Sequence, residues 1–346
     1  MEIKQIHDSA EWEAFVQGQS YSLFVQSGHY GDFYEAMGER SWRFGIYTGE
    51  KLIGGSLVVS THARRGSFLY LPYGPILPDE NQNQALAALT ATLKKFARGE
   101  YYDFIRVSPF LDETETNKQL FLAAGFRSAP MHMLAETTWL LAIEPSEDRL
   151  LAAMNKNHRN LIRRCLRAGA RVKAQTGLTA SAGQTAVAEF NQLHDTTAAR
   201  HKFHRFSARY IEQEFRAFAS HGEAVIFHGY LPDGRLDSSA LVVYYGNMAC
   251  YRHGASLNLD KQLPTSYLVQ WEAIREAKRR GAEWYNFWGI APRAASPRHP
   301  FYGLTHFKTG FGGFEKDLLR CQDLPITRAY WKNWLIESIR RRQRGF

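Results

Sequence analysis

The order of segments in the first half of the chain recurs in the second at a spacing of about 180 residues, as a chain built from two like modules requires. Arg43 to Tyr47, a turn at Gly49-Glu50-Lys51, and Leu52 to Ser60 alternate apolar and small residues as a hairpin does. Val225 to Tyr230, a turn at Pro232-Asp233-Gly234, and Leu236 to Tyr245 do the same. A third strand follows in each half, ending at Tyr70-Leu71-Pro72-Tyr73-Gly74 and at Tyr251-Arg252-His253-Gly254. Amphipathic helices come next, Gln82 to Arg98 and Thr265 to Arg280, each stopped by a glycine, Gly99 and Gly281. Beyond them Tyr101-Tyr102-Asp103-Phe104 runs toward Pro109, and Trp284-Tyr285-Asn286-Phe287 toward Pro292. Strand-strand-strand-helix-strand found twice predicts two copies of one α/β (α+β) module with mixed sheets. No GxGxxG follows a strand, which argues against a dinucleotide-binding sheet.

A chain of 346 residues, 45% hydrophobic and 22% charged, can bury a core of that size. No window approaches the roughly 18 uninterrupted apolar residues of a membrane span. The N-terminal stretch carries Glu2, Asp8, Glu11 and Glu13 where a signal peptide would be basic then apolar, so the expected compartment is the cytoplasm. Cys165, Cys250 and Cys321 lie far apart and outside any CxxC, which predicts buried hydrophobes rather than disulfides or a zinc site. The net charge of +9 is carried by 30 Arg against 13 Lys. Arginine's planar fork suits phosphate, so an anionic partner is favoured unless genomic base composition has raised the arginine content.

Three segments could carry chemistry. A helix is predicted from Ser146, a plausible N-cap, to Gly169, joining the two copies. Lys156, Asn160, Arg163 and Arg167 recur on it at spacings of three and four, with Arg159 and Arg164 widening the stripe. Such a stripe is either a solvated face or a surface that positions phosphates of RNA or a nucleotide-sugar pyrophosphate. A second basic cluster, Arg200-His201-Lys202-Phe203-His204-Arg205, lies between two helical stretches; its histidines lack a carboxylate at ligand spacing and read as surface residues. The third segment runs from Trp288-Gly289 through Phe301-Tyr302-Gly303-Leu304-Thr305-His306-Phe307-Lys308 to Gly312-Gly313, and its glycines and prolines predict a long loop folded over something. Phe307 could stack a base while Lys308 places a cation near a developing oxyanion. No GxSxG, HExxH, Walker loop or Cys/His nucleophile is present, so acyl transfer here would proceed by direct amine attack on an activated donor. The last segment, Thr327 to Phe346, reads as a helix ending in Arg340, Arg341, Arg342 and Arg344, suited either to docking with a solvated tail or to an anionic membrane surface.

These residues resemble the Fem family of non-ribosomal peptidyl transferases, most closely FemX-type members without a coiled-coil arm. The resemblance rests on Tyr251-Arg252-x-Gly254-Ala255-Ser256, on Leu268-Val269-Gln270-Trp271-Glu272-Ala273-Ile274, on Asn286-Phe287-Trp288-Gly289-Ile290, and on Gly303-Leu304-Thr305-x-Phe307-Lys308-x-Gly310-Phe311-Gly312-Gly313. Pro72-Tyr73-Gly74-Pro75 and Arg159-Asn160 with Gly169 add to it. It implies two tandem GNAT-like acyltransferase domains, the first at residues 1–148 completed by 318–346 and the second at 149–317. It further implies transfer of an amino acid from aminoacyl-tRNA to the side-chain amine of the third residue of a peptidoglycan stem peptide, on UDP-MurNAc-pentapeptide or on lipid II. No cofactor, metal or DNA partner is implied, and contact with the inner membrane surface would be peripheral.

By the same resemblance Lys308 would stabilise the oxyanion and Phe307 would pack near the terminal adenosine. Arg200 and Arg205 would hold precursor phosphates, with Tyr251, Arg252, Trp288, Tyr73 and Asp103 completing the substrate site. Lys156, Arg159, Asn160, Arg163 and Arg167 would contact tRNA. Tyr34 stands where relatives use a phosphate-binding lysine, and Ser108 where they carry an acid; Asp103 or Asp112 would take over that acidic role. The competing expectations are an acyl-CoA-dependent N-acyltransferase and a non-catalytic tRNA-binding protein.

Overall fold

The computed structural model describes residues 1–346 apart from 64–65, 178–181, 202–204, 294, 296–300 and 345–346. The first module comprises β1 (Glu2–Gln5), α1 (Ser9–Gln17), α2 (Gly28–Ala36), β2 (Ser41–Thr48), β3 (Lys51–Ala63), β4 (Gly66–Tyr73), α3 (Gln82–Gly99), β5 (Phe104–Pro109), α4 (Glu115–Ala123) and β6 (Arg127–Ser128). The link contains β7 (Thr137–Ala142), α5 (Glu147–Ala153) and α6 (Lys156–Ala168). The second module runs through β8 (Arg171–Thr176), α7 (Ala182–His201), α8 (Ala208–Ala219), β9 (Ala224–Tyr230), β10 (Leu236–Tyr245), β11 (Met248–Ser256), α9 (Thr265–Arg279), β12 (Trp284–Gly289), α10 (Tyr302–Thr309) and β13 (Phe314–Asp317). β14 (Gln322–Pro325) and α11 (Tyr330–Arg344) close the chain.

Two seven-stranded sheets result, ordered β1-β2-β3-β4-β5-β14-β6 and β8-β9-β10-β11-β12-β7-β13. Each is antiparallel except for one parallel pair, β4 with β5 and β11 with β12, where the amphipathic helix supplies the crossover. The sixth slot is filled reciprocally. β7 leaves the first module to sit between β12 and β13, and β14 leaves the second to sit between β5 and β6. The boundary expected at residue 148 therefore falls after a strand that already belongs to the second sheet.

The alternating burial of the strands divides the interior. Leu57, Val59, Tyr70 and Phe104 of the first sheet face Ile226, Leu241, Val243 and Tyr245 of the second in one continuous core with α1, α2, α7 and α8. The opposite faces are covered by α3 and α4 in the first module and by α6 and α9 in the second.

Four sequence expectations are corrected. The helix drawn from Ser146 to Gly169 is two helices, because Asn155 caps α6 by accepting from the His158 N–H at 2.8 Å. The loop before Gly310 contains α10, whose Thr305 accepts from the Ala291 N–H and donates to the Phe301 carbonyl. The repeat is in register at an offset that pairs Phe104 with Trp284, since Tyr102 and Ala282 donate to the matching carbonyls of Ala97 and Ala277, and Asp103 and Glu283 to Ser67 and Asn247. Gly281, with φ of 78°, is accordingly matched by Tyr101, with φ of 61°, and not by Gly99, which lies inside α3. Lys202, Phe203 and His204 of the basic cluster, and residues 296–300 of the aromatic segment, lie outside the described residues.

Candidate active site

The two modules differ where their parallel strands end. In the first, β4 and β5 stay paired over six residues, from Phe68 and Phe104 to Tyr73 and Pro109. In the second, β11 and β12 pair only from Met248 and Trp284 to Cys250 and Asn286. A bulge follows at once in β11, where Arg252 is the extra residue between Tyr251, opposite Val242, and His253, opposite Leu241. In β12 the register against β7 is interrupted between Asn286 and Gly289. Trp288 lies in that interruption with a left-handed φ of 65°, a conformation that costs a non-glycine residue about 1–2 kcal/mol. The buried Asn286 Oδ1 offsets it by accepting from the Trp288 N–H at 2.8 Å and the Thr138 hydroxyl at 2.6 Å.

Lys308 reaches into this opening from α10. Its Nζ donates to the Gly289 carbonyl at 2.6 Å and lies 5.9 Å from the centre of the Tyr251 ring. The side chain is 7% exposed. Burial lowers its pKa to about 7, so near neutrality it holds a proton that it can also lose. A desolvated ammonium is a stronger hydrogen-bond donor toward a developing oxyanion than one in water.

α10 is fixed from α6. The Nε2–H of buried His158 donates to the Phe307 carbonyl at 2.9 Å, and the Asn155 N–H donates to the Gly310 carbonyl at 2.9 Å. The imidazole occupies the space a Cβ on Gly310 would need, which is why glycine stands there. Burial lowers the pKa of His158, favouring the neutral ring. Phe307, half-buried, packs against Tyr267 and Phe311 at ring separations of 5.1 and 5.4 Å.

The opposite wall comes from both modules. The Arg252 guanidinium lies 5.0 Å from the Trp288 ring, and the Tyr73 ring lies 5.3 Å from Trp288 while its hydroxyl donates to the Ala135 carbonyl. Arg252 is not a free cation: its Nε donates to Glu214 at 2.8 Å, and the His253 Nε2–H donates to the other Glu214 oxygen at 2.6 Å. Burial alone would raise the Glu214 carboxyl, but Arg252 and His253 hold it below its ordinary value.

The structure thus brings Lys308, Phe307, Tyr251, Arg252, Trp288 and Tyr73 into one neighbourhood. It does not bring Asp103 there. Asp103 donates its N–H to the Ser67 carbonyl, at the far end of β4 and about 20 Å from Tyr73 by strand rise. Its carboxylate accepts from Thr327 and Ser67. Arg200 is bonded to the Ser256 and Leu257 carbonyls, and Arg205 to Asp195 and Asn191, so a phosphate at either would have to displace internal partners. Of the stripe on α6, Lys156, Asn160, Arg163 and Arg167 are exposed, whereas Arg159 donates to the Ala152 and Met154 carbonyls at the end of α5.

Tyr34 packs edge-on against Tyr30 at 5.3 Å, and buried Ser108 accepts from the Tyr70 hydroxyl. Asp112 forms an ion pair with Lys316, whose Nζ lies 5.7 Å from the Phe110 ring; Phe110 is in turn 5.1 Å from Tyr73. The sequence motifs do not single out Glu214 or His158, and they contain Asn286 without indicating its role in holding the turn at Trp288. Glu214 had left a signal, an acid in the apolar row Ile211, Phe215, Phe218 of α8.

A family model described as the FemAB family matches residues 8–231 and 235–333. The chain belongs to the FemAB family. Lipid II:glycine glycyltransferase of Staphylococcus epidermidis is 20% identical to this FemAB chain over 400 aligned positions, covering 95% of the chain and 94% of that protein. The crystal structure of FemX superposes with a TM-score of 0.84 at 18% identity, covering 97% of this chain and 100% of FemX. A tandem GNAT protein from the clavulanic acid biosynthesis pathway superposes with a TM-score of 0.56 at 10% identity, covering 94% and 99%. The FemAB chain thus has the mixed α/β architecture of GNAT-fold proteins.

Proposed function

We propose that this FemAB-family aminoacyltransferase takes an amino acid from aminoacyl-tRNA and joins it to the side-chain amine of the third residue of a peptidoglycan stem peptide, with lipid II as the acceptor. The name of the Staphylococcus epidermidis relative supports the lipid-linked acceptor over the UDP-linked one. The observation that carries the chemistry is Lys308, buried in the opening between β11 and β12 and held on the Gly289 carbonyl. The acceptor amine attacks the ester carbonyl of the donor, a C–N bond forms, and the C–O bond to the tRNA ribose breaks. The amine gives up a proton and the ribose hydroxyl takes one. Lys308 bears on the oxyanion formed between those events, and the ester is already activated, so no ATP is consumed.

The donor's terminal adenosine would lie along Phe307, with Lys156, Asn160, Arg163 and Arg167 on phosphates of the acceptor stem. His158 links that helix to α10, so tRNA bound on α6 is registered against Lys308. The stem peptide would approach from the Tyr73 and Trp288 side. Asp112, linked to Tyr73 through Lys316 and Phe110, suits the acceptor amine better than Asp103. The enzyme would work in the cytoplasm, peripheral to the inner face of the membrane.

The test mixes the protein with labelled aminoacyl-tRNAs and either lipid II or UDP-linked pentapeptide, with labelled acetyl-CoA as a parallel donor. Mass spectrometry of the precursor identifies the residue added. Label is expected from tRNA onto lipid II, and Lys308→Ala is expected to lower the chemical step by at least tenfold, as loss of one oxyanion donor does elsewhere. Unchanged turnover in that variant would remove Lys308 from the mechanism. Label only from the thioester would replace the donor, and none from either would leave tRNA binding alone.

A further inference from the structure

The last helix, α11, is apolar on the side where a surface helix is ordinarily polar. Its inner side is Tyr330, Asn333 and Glu337, all packed on the first module. Trp331, Leu335 and Ile339 follow one another at four-residue spacing along the outer side, with exposures of 48, 56 and 49%. A contiguous exposed apolar row on an otherwise charged helix marks a contact surface. The helix cannot roll to hide it. Buried Arg106 donates to both Asp323 of β14 and Glu337 of α11, at 2.7 to 3.1 Å, and so clamps the helix in one rotation.

The same clamp sets the charge of the outer side. Glu337 is the only acid among residues 330–344 and it is turned inward, so the outward charges are all positive: exposed Lys332, Arg340 and Arg342 flank or extend the apolar row. Arg127 of β6 lies 4.7 Å over the Trp331 ring and adds a further cation beside it. Tryptophan with aliphatic residues on one strip, rimmed by Arg and Lys, has the composition of a helix that lies in the headgroup layer. None of the described helices is long and apolar enough to cross a membrane.

We infer that the outer face of α11 docks the enzyme on an anionic phospholipid bilayer, with Trp331, Leu335 and Ile339 in the headgroup and acyl boundary and Lys332, Arg340 and Arg342 on lipid phosphates. The inference deepens the proposed reaction, because a lipid-linked acceptor is confined to such a surface. It is tested without any substrate, so that its failure and the failure of the transfer reaction are separate results. The full chain is sedimented with vesicles of phosphatidylcholine alone and of phosphatidylcholine with phosphatidylglycerol. Binding to the anionic vesicles is expected to be at least about tenfold tighter and to weaken with salt. The triple variant Trp331→Ser, Leu335→Ser, Ile339→Ser is expected to lose that binding by tenfold or more, and Arg340→Gln with Arg342→Gln to lose most of the preference for phosphatidylglycerol. All three side chains are exposed, so an unchanged melting temperature certifies the fold. Equal binding to both vesicle types, or undiminished binding by the triple variant, overturns the inference. So does a dimer in light scattering that the triple variant dissolves, since the row would then be a self-association surface.

Discussion

At the residue scale the site depends on one proton. An ordinary lysine stays charged to about pH 10, but burial brings Lys308 to about 7. The charged form is the one that stabilises an oxyanion, and its share falls as pH rises above about 7. The acceptor amine must be neutral to attack, and an ordinary side-chain amine, at about 10.4, gains neutral form in proportion over the same range. Single-turnover rates across pH 5 to 10, with donor and acceptor saturating, should therefore rise to about pH 7 and level off above it; a rate that keeps rising to pH 9 would contradict the assignment. Lys308, Tyr251, Arg252 and Trp288 were legible because they stand in uninterrupted motifs. The motif does not announce what the charge of Arg252 does, which is to balance Glu214 inside the protein. Asp103 and Asp112 are equivalent as acids near Pro109 in sequence, and only the backbone pairing puts Asp103 at the far end of β4; matching aromatic residues by type likewise sets residues 101–104 against 284–287, three residues off the register that pairs Phe104 with Trp284.

At the element scale the two copies of the module test each other. The helices α3 and α9 end in the same way, with the residue three beyond donating back to Ala97 or Ala277 and the residue just before that donor in left-handed conformation. In the second copy that residue is Gly281, which adopts φ of 78° at no steric cost. In the first it is Tyr101, 89% exposed, so the ring gains little by packing while the backbone carries the strain. Tyr101→Gly should stabilise the protein by about 0.5–1 kcal/mol, the left-handed penalty less the extra chain entropy of glycine. Denaturant midpoints of the two proteins measure it, and a lower midpoint for the variant would show that the exposed ring contributes more than the strain removes. Most strands and the two crossover helices were legible from period and turn chemistry alone. The break at Asn155 and the helix α10 were not, because each depends on a long-range partner: α6 and α10 secure one another through His158, Asn155 and Gly310.

At the scale of the whole molecule the reciprocal placement of β7 and β14 ties the modules into one folding unit. Each sheet lacks its sixth strand until the other half of the chain supplies it, and the inner faces of both sheets share one core. The repeat alone announces two modules without an exchange, since β7 and β14 stand in equivalent places in it whichever sheet they join; the resemblance returns 318–346, and so β14, to the first module but leaves β7 with the first as well. The exchange makes a local lesion global. Asp323 on β14 is fully buried and accepts two hydrogen bonds from Arg106, itself 2% exposed. Removing one partner of a buried ion pair typically costs about 3–5 kcal/mol, and Glu337, which still faces Arg106, places Asp323→Ala near the lower end. If the modules were independent, that loss would appear as a separate early transition of the first module. With strands exchanged, urea unfolding followed by tryptophan fluorescence and by far-ultraviolet circular dichroism should give coincident single transitions, in the unaltered protein and at a lower midpoint in Asp323→Ala. Two resolved transitions in the variant, with the second at the original midpoint, would mean that the second module stands without the first and that the exchanged strands do not couple them.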